Sequence, residues 1–593
     1  MCGIFGYAGE RNDAAELILE GLRKLEYRGY DSWGIAVGEG PRAAVDRRVG
    51  KIGDARPKLP ASSFGLGHTR WATHGPVTDD NAHPQLDCSR RLAVVHNGML
   101  TNEAELRQAL GRTGHRMRSH TDSELIAHLV EDLLGQTSAG ETRLVRATMA
   151  AFRKLRGLNA IAVLDVQSGE IVAAKSGTPL VLGKADGGHF IASDHSALLE
   201  YTREVAFVSD GQAVLLDRTQ LRLFDIESGN ELIPELTTVE WDAVSADRQG
   251  HPDFMTKEIC EQPAVLRTIA QRSLAHVTEL AERITQAGDV YIVGCGSAAH
   301  AALSAQHQLA RIATRRIITA SAYEFEHHLP FIGANSLVIA LSQSGETADV
   351  LDATRAARAK GAQIVALTNV EGSSLWRSAD LTVPLYAGPE RCVLATKSFT
   401  AKLALSWLTA HALVGRLEAA REALENTASE LEDLISGPRR EAIRTIADAI
   451  RSQAHLYVIG RGSSHPLALE VALKIKEVSY VHAEGFAGGE LKHGVIALIE
   501  PYTPCIVLAP NDETRDDVLA NALQVKARGA VLIGLASEYH PAFDHHIPVA
   551  ADSSSVPQLV QAVVAQLLGY DLARLRGHDP DMPRNLAKSV TVK

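Results

Sequence analysis

Cys2 brings two reactive groups to one residue. Loss of Met1, usual before a small residue, leaves a thiol and a free α-amine together at the N-terminus. An α-amine has a reference pKa of roughly 7.7–8.0. Near neutral pH a useful fraction is uncharged and can take the thiol proton, directly or through a water. A thiol attacking an amide needs an oxyanion hole, an amide side chain plus a backbone N–H. Asn97-Gly98, just past an apolar run, supplies both. Arg70 suits a substrate carboxylate through its planar fork, and Asp122 suits an ammonium. Far along the chain, Ser342-Gln343-Ser344-Gly345-Glu346-Thr347 offers hydroxyls and backbone N–H groups of the kind that hold a phosphate dianion. Between 470 and 477, Glu470, Lys474 and Glu477 share one helical stripe beside the apolar stripe of Val471, Ile475 and Val478. Singly, each feature has a plainer explanation. Cys2 is then a small core residue, Asn97-Gly98 a turn, and Arg70 a surface side chain. Asp122 merely starts a helix, the Ser-rich turn caps one, and the Glu–Lys row is a solvated ion pair worth little.

These residues need elements to hold them. Leu17, Ile18, Leu22 and Leu25 predict an amphipathic helix from Ala14 to Leu25. Thr121-Asp122-Ser123-Glu124 reads as a capping box opening another. Short apolar runs at 34–37, 92–95, 160–164 and 206–208 predict strands, so the first third is expected to be a layered α+β domain. The last two thirds contain an internal repeat. The run from Asp289 to Ser297 recurs from His455 to Ser463, and Leu337–Thr347 with Gly361–Leu367 recurs as Cys505–Thr514 with Gly529–Leu535. Continuous apolar strands alternating with helices predict two doubly wound α/β domains with ligands at the C-terminal strand ends. At the Ser-rich turn the second copy reads Pro510-Asn511-Asp512-Glu513 instead, with a carboxylate that would repel phosphate. One phosphate site per chain, in the first copy, is therefore expected.

A chain of 593 residues is too long for one core. Its net charge of -11 argues against nucleic acid as a partner. No apolar run reaches the length of a membrane span, and Leu403–Val414 reads as a buried helix. No secretory signal is visible, so the cytoplasm is the expected location. The six scattered cysteines fit reduced thiols better than a disulfide frame or a zinc site. No metal site and no cofactor is expected.

Cys2-Gly3-Ile4, Leu25 to Ser32, His68 to Gly75, Asn81 to Pro84 and Val95 to Gly98 resemble the N-terminal-nucleophile (αββα layered) glutamine amidotransferase domain. That resemblance implies hydrolysis of glutamine with Cys2 as nucleophile, its amine as base, and Asn97 and Gly98 as the oxyanion hole. Arg70 and Asp122 would hold the substrate's charged ends, with Trp71, Thr73 and His74 nearby. The repeat resembles the sugar isomerase fold. The match extends to Glu470–Glu484, Gly489–Gly494 and the tail Met582–Lys593. Joined, the two parts resemble the glutamine–fructose-6-phosphate aminotransferase (isomerizing) family over nearly the whole chain. The resemblance implies Lys588 as the Schiff-base lysine, Glu477 as the base moving a proton between C1 and C2, His493 as the ring opener reaching in from a second subunit, and Lys474 as a further catalytic residue. Ser297, Ser342, Gln343, Ser344, Thr347 and Val393 would line the sugar-phosphate pocket. Arg584, one turn before Lys588 if the tail is helical, is a candidate neighbour for depressing its pKa. The implied partners are glutamine, fructose 6-phosphate or a related ketose phosphate, and a second copy of the chain in a homodimer or larger homo-oligomer. A dry passage for ammonia between the sites is expected, with Trp71 and the tail at its walls.

The expected boundaries are a glutamine amidotransferase type 2 domain at 1–238, linker and lead-in at 239–275, sugar isomerase domains at 276–425 and 445–580, and a catalytic tail at 581–593. The match frays at Ala298 and Ala395, where relatives carry hydroxyls, and at Gly494-Val495 in place of Gly-Pro. Trp33 stands where relatives carry alanine. The missing hydroxyls keep open a paralogue that aminates a related ketose phosphate. A non-catalytic sugar-phosphate sensor would need neither Cys2 nor Glu477 and Lys588. Other glutamine-dependent enzymes would carry a nucleotide or pyrophosphate loop in place of the repeat, and a deaminase would not need the first third.

Overall fold

A computed structural model describes residues 2–238, 248–550 and 554–590. It divides into two units. One runs to Ala246 and takes in Glu346–Ala348 and the end from Ala587, and the other holds the remainder.

The first unit is built on an eight-stranded and a seven-stranded sheet, as counted among the described residues. Strand periodicity shows how they stack. In Gly3–Gly9, Ile4 and Ala8 join the core between the sheets, while Phe5 and Tyr7 pack under the helix Ala14–Leu25. In Leu92–Gly98, Ala93 and Val95 face the inter-sheet core. Leu92 and Val94 face the helices Ser123–Gln136 and Arg143–Phe152. The layers therefore run helix, sheet, sheet, helices. The strands expected at 34–37, 92–95 and 160–164 lie within Ser32–Glu39, Leu92–Gly98 and Asn159–Asp165, and the last ends at Phe207 rather than Val208. Trp33 is a core residue of the outer layer, 2% exposed, with the Arg48 guanidinium 5.1 Å from its ring centre.

The capping box is only half formed. Thr121 Oγ1 accepts from Glu124 N at 3.4 Å, but the Glu124 carboxylate turns away to the backbone N–H groups of Arg118 and Ser119, at 2.7 Å each. Those amides belong to the preceding loop, and closing them off outweighs the reciprocal cap.

Among the described residues, the second unit contains two five-stranded parallel sheets of identical order. In the first, Ile318–Ser321, Asp289–Gly294, Ser336–Ser342, Gln363–Thr368 and Leu381–Pro384 lie side by side. In the second, His482–Ala487, His455–Gly460, Pro504–Ala509, Val531–Ala536 and His545–Pro548 repeat that order. The segment 239–275 begins among residues outside those described. From Phe254, the lead-in is helical: Phe254–Cys260 and Gln262–Arg272, followed by Leu274–Gln286, supply Met255, Ile259, Leu266 and Val277 to one core shared by both copies. The helix expected within Leu403–Val414 spans Lys397–Ala412 and buries even Lys397 and Lys402. The tail 581–590 is irregular, so Arg584 does not stand one helical turn before Lys588. Its guanidinium instead stacks on Tyr480, 4.1 Å from the ring centre, and its N–H donates to the Tyr480 hydroxyl at 2.8 Å. Among the described residues no helix is long and apolar enough to cross a membrane.

Candidate active sites

Register brings the first set of residues together. The strand Gly3–Gly9 pairs antiparallel with Phe64–Arg70, Gly3 opposite Thr69, which sets Cys2 beside Arg70 and Trp71. The Trp71 N–H donates to Cys2 Sγ at 3.2 Å, and the thiol lies 3.5 Å from the Trp71 carbonyl. Asn97 shares the inward face of its strand with Ala93 and Val95 and so points between the sheets. Its Nδ2 donates to the Cys2 carbonyl at 3.0 Å and to Ser193 Oγ at 2.9 Å.

The orientation of that amide is determined by His68. Its Nε2 lies 3.1 Å from the His96 carbonyl, which can only accept, so Nε2 carries the proton. The same nitrogen meets Asn97 Oδ1 at 3.0 Å, leaving Nδ2 as the end that faces Cys2. Burial pushes the His68 pKa down to about 3, so the ring stays neutral. Gly98 follows at φ 144°, where a Cβ would collide with the Leu158 carbonyl, so no side chain fits.

Burial pushes the Cys2 thiol pKa up from its ordinary value. The nucleophilic form therefore depends on a base taking the proton. Arg70, also buried, donates to the carbonyls of His74, Gly75 and Pro76 and so folds the loop 71–76 back on itself. Burial lowers the Arg70 pKa, while Cys2, Asp31 and Asp122 act the other way. Asp122 is buried at the start of the helix Ser123–Gln136, and its Oδ2 accepts from Leu100 N at 2.8 Å. Trp71 is half-buried with its ring edge-on to Tyr30. Thr73 is exposed, and His74 faces Glu103 at 3.8 Å. Neither hydrogen-bonds to Cys2.

Sequence reasoning missed the residues that hold this arrangement. His68 and Asp31 stand inside the recognised clusters, and Asp31 Oδ2 fixes the loop by accepting from Ala72 N at 2.8 Å. Arg28 Nε reaches the Cys2 carbonyl at 3.3 Å and pairs with Asp194 at 3.4 Å. Burial opposes the Asp194 charge, yet His195, Arg28 and Tyr27 bring its pKa down to about 2. Ser193 and Asp194 carried no local signal; they follow the strand Gly188–Ala192, which pairs with Gly3–Gly9 across the fold.

In the second unit the strand order reverses between Asp289–Gly294 and Ser336–Ser342, the place where doubly wound sheets bind ligands. Ser342 Oγ accepts from Gly345 N at 3.0 Å, and the Gln343 carbonyl accepts from Asn369 N at 3.1 Å. Gly345 sits at φ 67°, and a Cβ there would collide with Ser373 Oγ. Ser344 and Thr347 are half-buried around this turn. In the second copy Asp512 accepts from Thr514 N at 2.9 Å and from its hydroxyl at 2.7 Å, so a carboxylate closes the corresponding turn. Val393 is tied to the tail, its N–H donating to the Asp581 carbonyl at 3.1 Å. Ala298 and Ala395 are both half-buried.

The Glu–Lys row is not solvated. The helix Ser464–Ser479 packs between Ser297–Ala313 and Pro557–Leu575, leaving Glu470 2% and Lys474 1% exposed. Lys474 Nζ lies 2.7 Å from Glu477 and 3.4 Å from Glu470. Glu470 in turn meets His300 Nδ1 at 2.8 Å and bonds to the Ser297 side chain. Burial disfavours the Lys474 charge, but Glu477 and Glu470 outweigh it and raise its pKa. Burial likewise opposes the Glu470 charge, and Lys474 with His300 reverses the shift, leaving it lowered. Lys474 therefore holds charge and does not accept protons near neutrality, whereas Glu477 is only half-buried. His493 is exposed at the end of the 3-10 helix Gly488–His493 and makes no hydrogen bond with Glu477. Lys588 is half-buried in the irregular tail.

Comparison with known proteins covers both sets of residues. A glutamine amidotransferase domain model matches residues 68–200, and a SIS domain model matches twice, at 283–412 and 449–576. The chain is 40% identical over 607 residues to the glutamine–fructose-6-phosphate aminotransferase (isomerizing) of Thermococcus kodakarensis, covering all of both chains. It is 40% identical over 618 residues, again across both whole chains, to that of Thermus thermophilus. Among solved structures, the C-terminal domain of the glucosamine-fructose-6-phosphate aminotransferase from Francisella tularensis matches 57% of this chain and 100% of its own, at 30% identity and a TM-score of 0.52. With identity at this level across the whole of both chains, and both family models matching, the chain belongs to the glutamine–fructose-6-phosphate aminotransferase (isomerizing) family.

Proposed function

We propose that the chain hydrolyses glutamine at Cys2 and passes the ammonia to fructose 6-phosphate with ketose-to-aldose isomerisation, giving glucosamine 6-phosphate and glutamate. The observation that carries this reading is the convergence on Cys2: the Trp71 N–H at its sulfur, and Asn97 Nδ2 at its carbonyl. The fold of the first unit is read as that of an N-terminal-nucleophile hydrolase. The Cys2 amine takes the thiol proton, sulfur attacks the amide carbon, and the proton leaves with ammonia. Water then releases glutamate from the thioester. Asn97 and the Gly98 N–H stabilise the oxyanion. Arg70 binds the glutamine carboxylate and Asp122 its ammonium, with Trp71, Thr73 and His74 around them.

At the second site His493 opens the sugar ring. The Lys588 amine adds to C2 and loses water to form a Schiff base. Ammonia displaces Lys588, Glu477 removes a proton from C1, and the proton returned at C2 completes the aldose. Lys474 remains an ammonium beside that carboxylate. The phosphate is bound by Ser342, Gln343, Ser344 and Thr347, with Ser297 and Val393 along the sugar. The exposed position of His493 supports a dimer in which it serves the partner's site. The expected domain boundaries and a cytoplasmic location belong to the same reading. Ala298 and Ala395, which cannot donate side-chain hydrogen bonds, favour a second one, a related ketose phosphate as the preferred sugar.

Amide-labelled glutamine with fructose 6-phosphate is expected to give a labelled amino sugar phosphate. Cys2→Ala should abolish the use of glutamine and spare activity with ammonium, and Lys588→Arg should block both. Unlabelled product, or full turnover by Lys588→Arg, would overturn the proposal. A panel of ketose phosphates separates the two readings.

A further inference from the structure

Away from Cys2, four side chains of the first unit converge on one point. Cys88 lies in the loop before the strand Leu92–Gly98, and His115 follows the helix Glu103–Arg112. His128 and Glu131 are one turn apart on the helix Ser123–Gln136. Cys88 Sγ lies 3.4 Å from His115 Nδ1 and 3.5 Å from His128 Nδ1. The two Nδ1 atoms are 3.2 Å apart. Glu131 Oε2 is 3.3 Å from His115 Nδ1 and 3.5 Å from His128 Nδ1. All four ligand atoms lie within 4.8 Å of one another. Bonds of zinc to sulfur, nitrogen and oxygen in a tetrahedron imply ligand–ligand edges of about 3.3–3.6 Å. The five separations fall on or within a tenth of an ångström or so of that range.

One outer contact points the same way. His115 Nε2 lies 2.8 Å from Asp132 Oδ1. A carboxylate there favours the proton on Nε2 and leaves Nδ1 to face Cys88 and Glu131, the arrangement found behind metal-bound histidines. The Glu124 carboxylate lies farther from His128 Nε2, at 3.6 Å. Two imidazole nitrogens, a carboxylate oxygen and a sulfur this close need protons or a cation between them, and a divalent cation at the shared point satisfies all four at once. The spacings of 27, 13 and 3 residues match no sequence motif, which is why the scattered cysteines read as carrying no metal.

We propose that Cys88, His115, His128 and Glu131 form a closed tetrahedral site for a zinc-class divalent cation. Binding releases the Cys88 thiol proton. All four positions are taken by protein, so the ion is structural. It joins the loop leading into the Asn97 strand to the helix that begins beside Asp122. Cys88 is exposed, which gives the ion a way in.

The test uses the full-length protein. Metal analysis should find one zinc per chain, and cobalt substitution should give a thiolate-to-metal charge-transfer band that Cys88→Ser loses. Asp132→Asn, which leaves all four ligands in place, should weaken zinc binding by about 10–100-fold in chelator competition. A chelator should lower Tm in the parent protein and leave that of a His115→Ala/Cys88→Ser variant unchanged, with circular dichroism reporting that the variant folds. Zinc held no more tightly by the parent than by the double variant, or a cobalt complex without the thiolate band, would overturn the proposal.

Discussion

Replacing Asn97 by alanine separates the chemistry at Cys2 from the scaffold around it. The substitution removes two donated hydrogen bonds, at 3.0 Å to the Cys2 carbonyl and 2.9 Å to Ser193 Oγ. Each former partner keeps another contact. The Cys2 carbonyl retains Arg28 Nε at 3.3 Å, Ser193 Oγ retains the Ile4 N–H at 2.7 Å, and His68 Nε2 retains the His96 carbonyl at 3.1 Å. No buried polar group is orphaned, so the stability cost should stay within about 1–3 kcal/mol. The catalytic cost is larger. Loss of one oxyanion donor lowers kcat by about 10²–10³, or roughly 2.7–4 kcal/mol. The assay is glutamate release at saturating glutamine, set beside amino sugar formation from ammonium, which bypasses Cys2. Glutamate release should fall by two to three orders of magnitude while the ammonium reaction holds. A fall below about tenfold would refute the oxyanion role. An equal fall with ammonium would mean that the substitution damages the whole protein.

Lys474→Met should destabilise the second unit by about 3 kcal/mol in urea unfolding, because it takes the ammonium from the buried Glu470 and leaves it only the His300 and Ser297 contacts; adding Glu470→Gln should recover most of that loss, and an additive double variant would contradict the coupling. Acid should weaken the first unit through His68. Its pKa is about 3 in the fold against 6.5 when unfolded, so the unfolded chain binds the extra proton and stability present above pH 6.5 is lost as pH falls toward 3. At pH 5 the loss from this residue is about 2 kcal/mol, and His68→Gln should flatten the pH dependence of the urea midpoint; an unchanged slope would mean that the ring is not held neutral. Gly345→Ala should raise KM for the sugar phosphate well above any change in glutamate release, since the added methyl meets Ser373; an unaltered KM would detach the turn from sugar binding.

Composition, periodicity and repetition made much of this protein legible from its sequence. The duplicated strand–turn–helix pattern predicted two parallel sheets, and they occur with the same strand order, because continuous apolar strands are stable only when both faces are covered. Cys2, Arg70 and Asn97 were legible because their side chains carry unusual chemistry in short, distinctive strings. Local pattern was silent wherever a contact joins distant parts of the chain. His68 orients Asn97, Ser193 receives its amide, and Arg28 with Asp194 braces Cys2, all through strand pairing that places residues from across the first unit side by side. The row Glu470–Lys474–Glu477 looked like a solvated helix face, and only packing against two other helices buried it and turned a weak pair into a locked charge network. Cys88, His115, His128 and Glu131 share no motif at all. A helical period or a strand alternation encodes which face is apolar, but the partner that covers that face, and therefore the dielectric around its charges, exists only once the chain has folded.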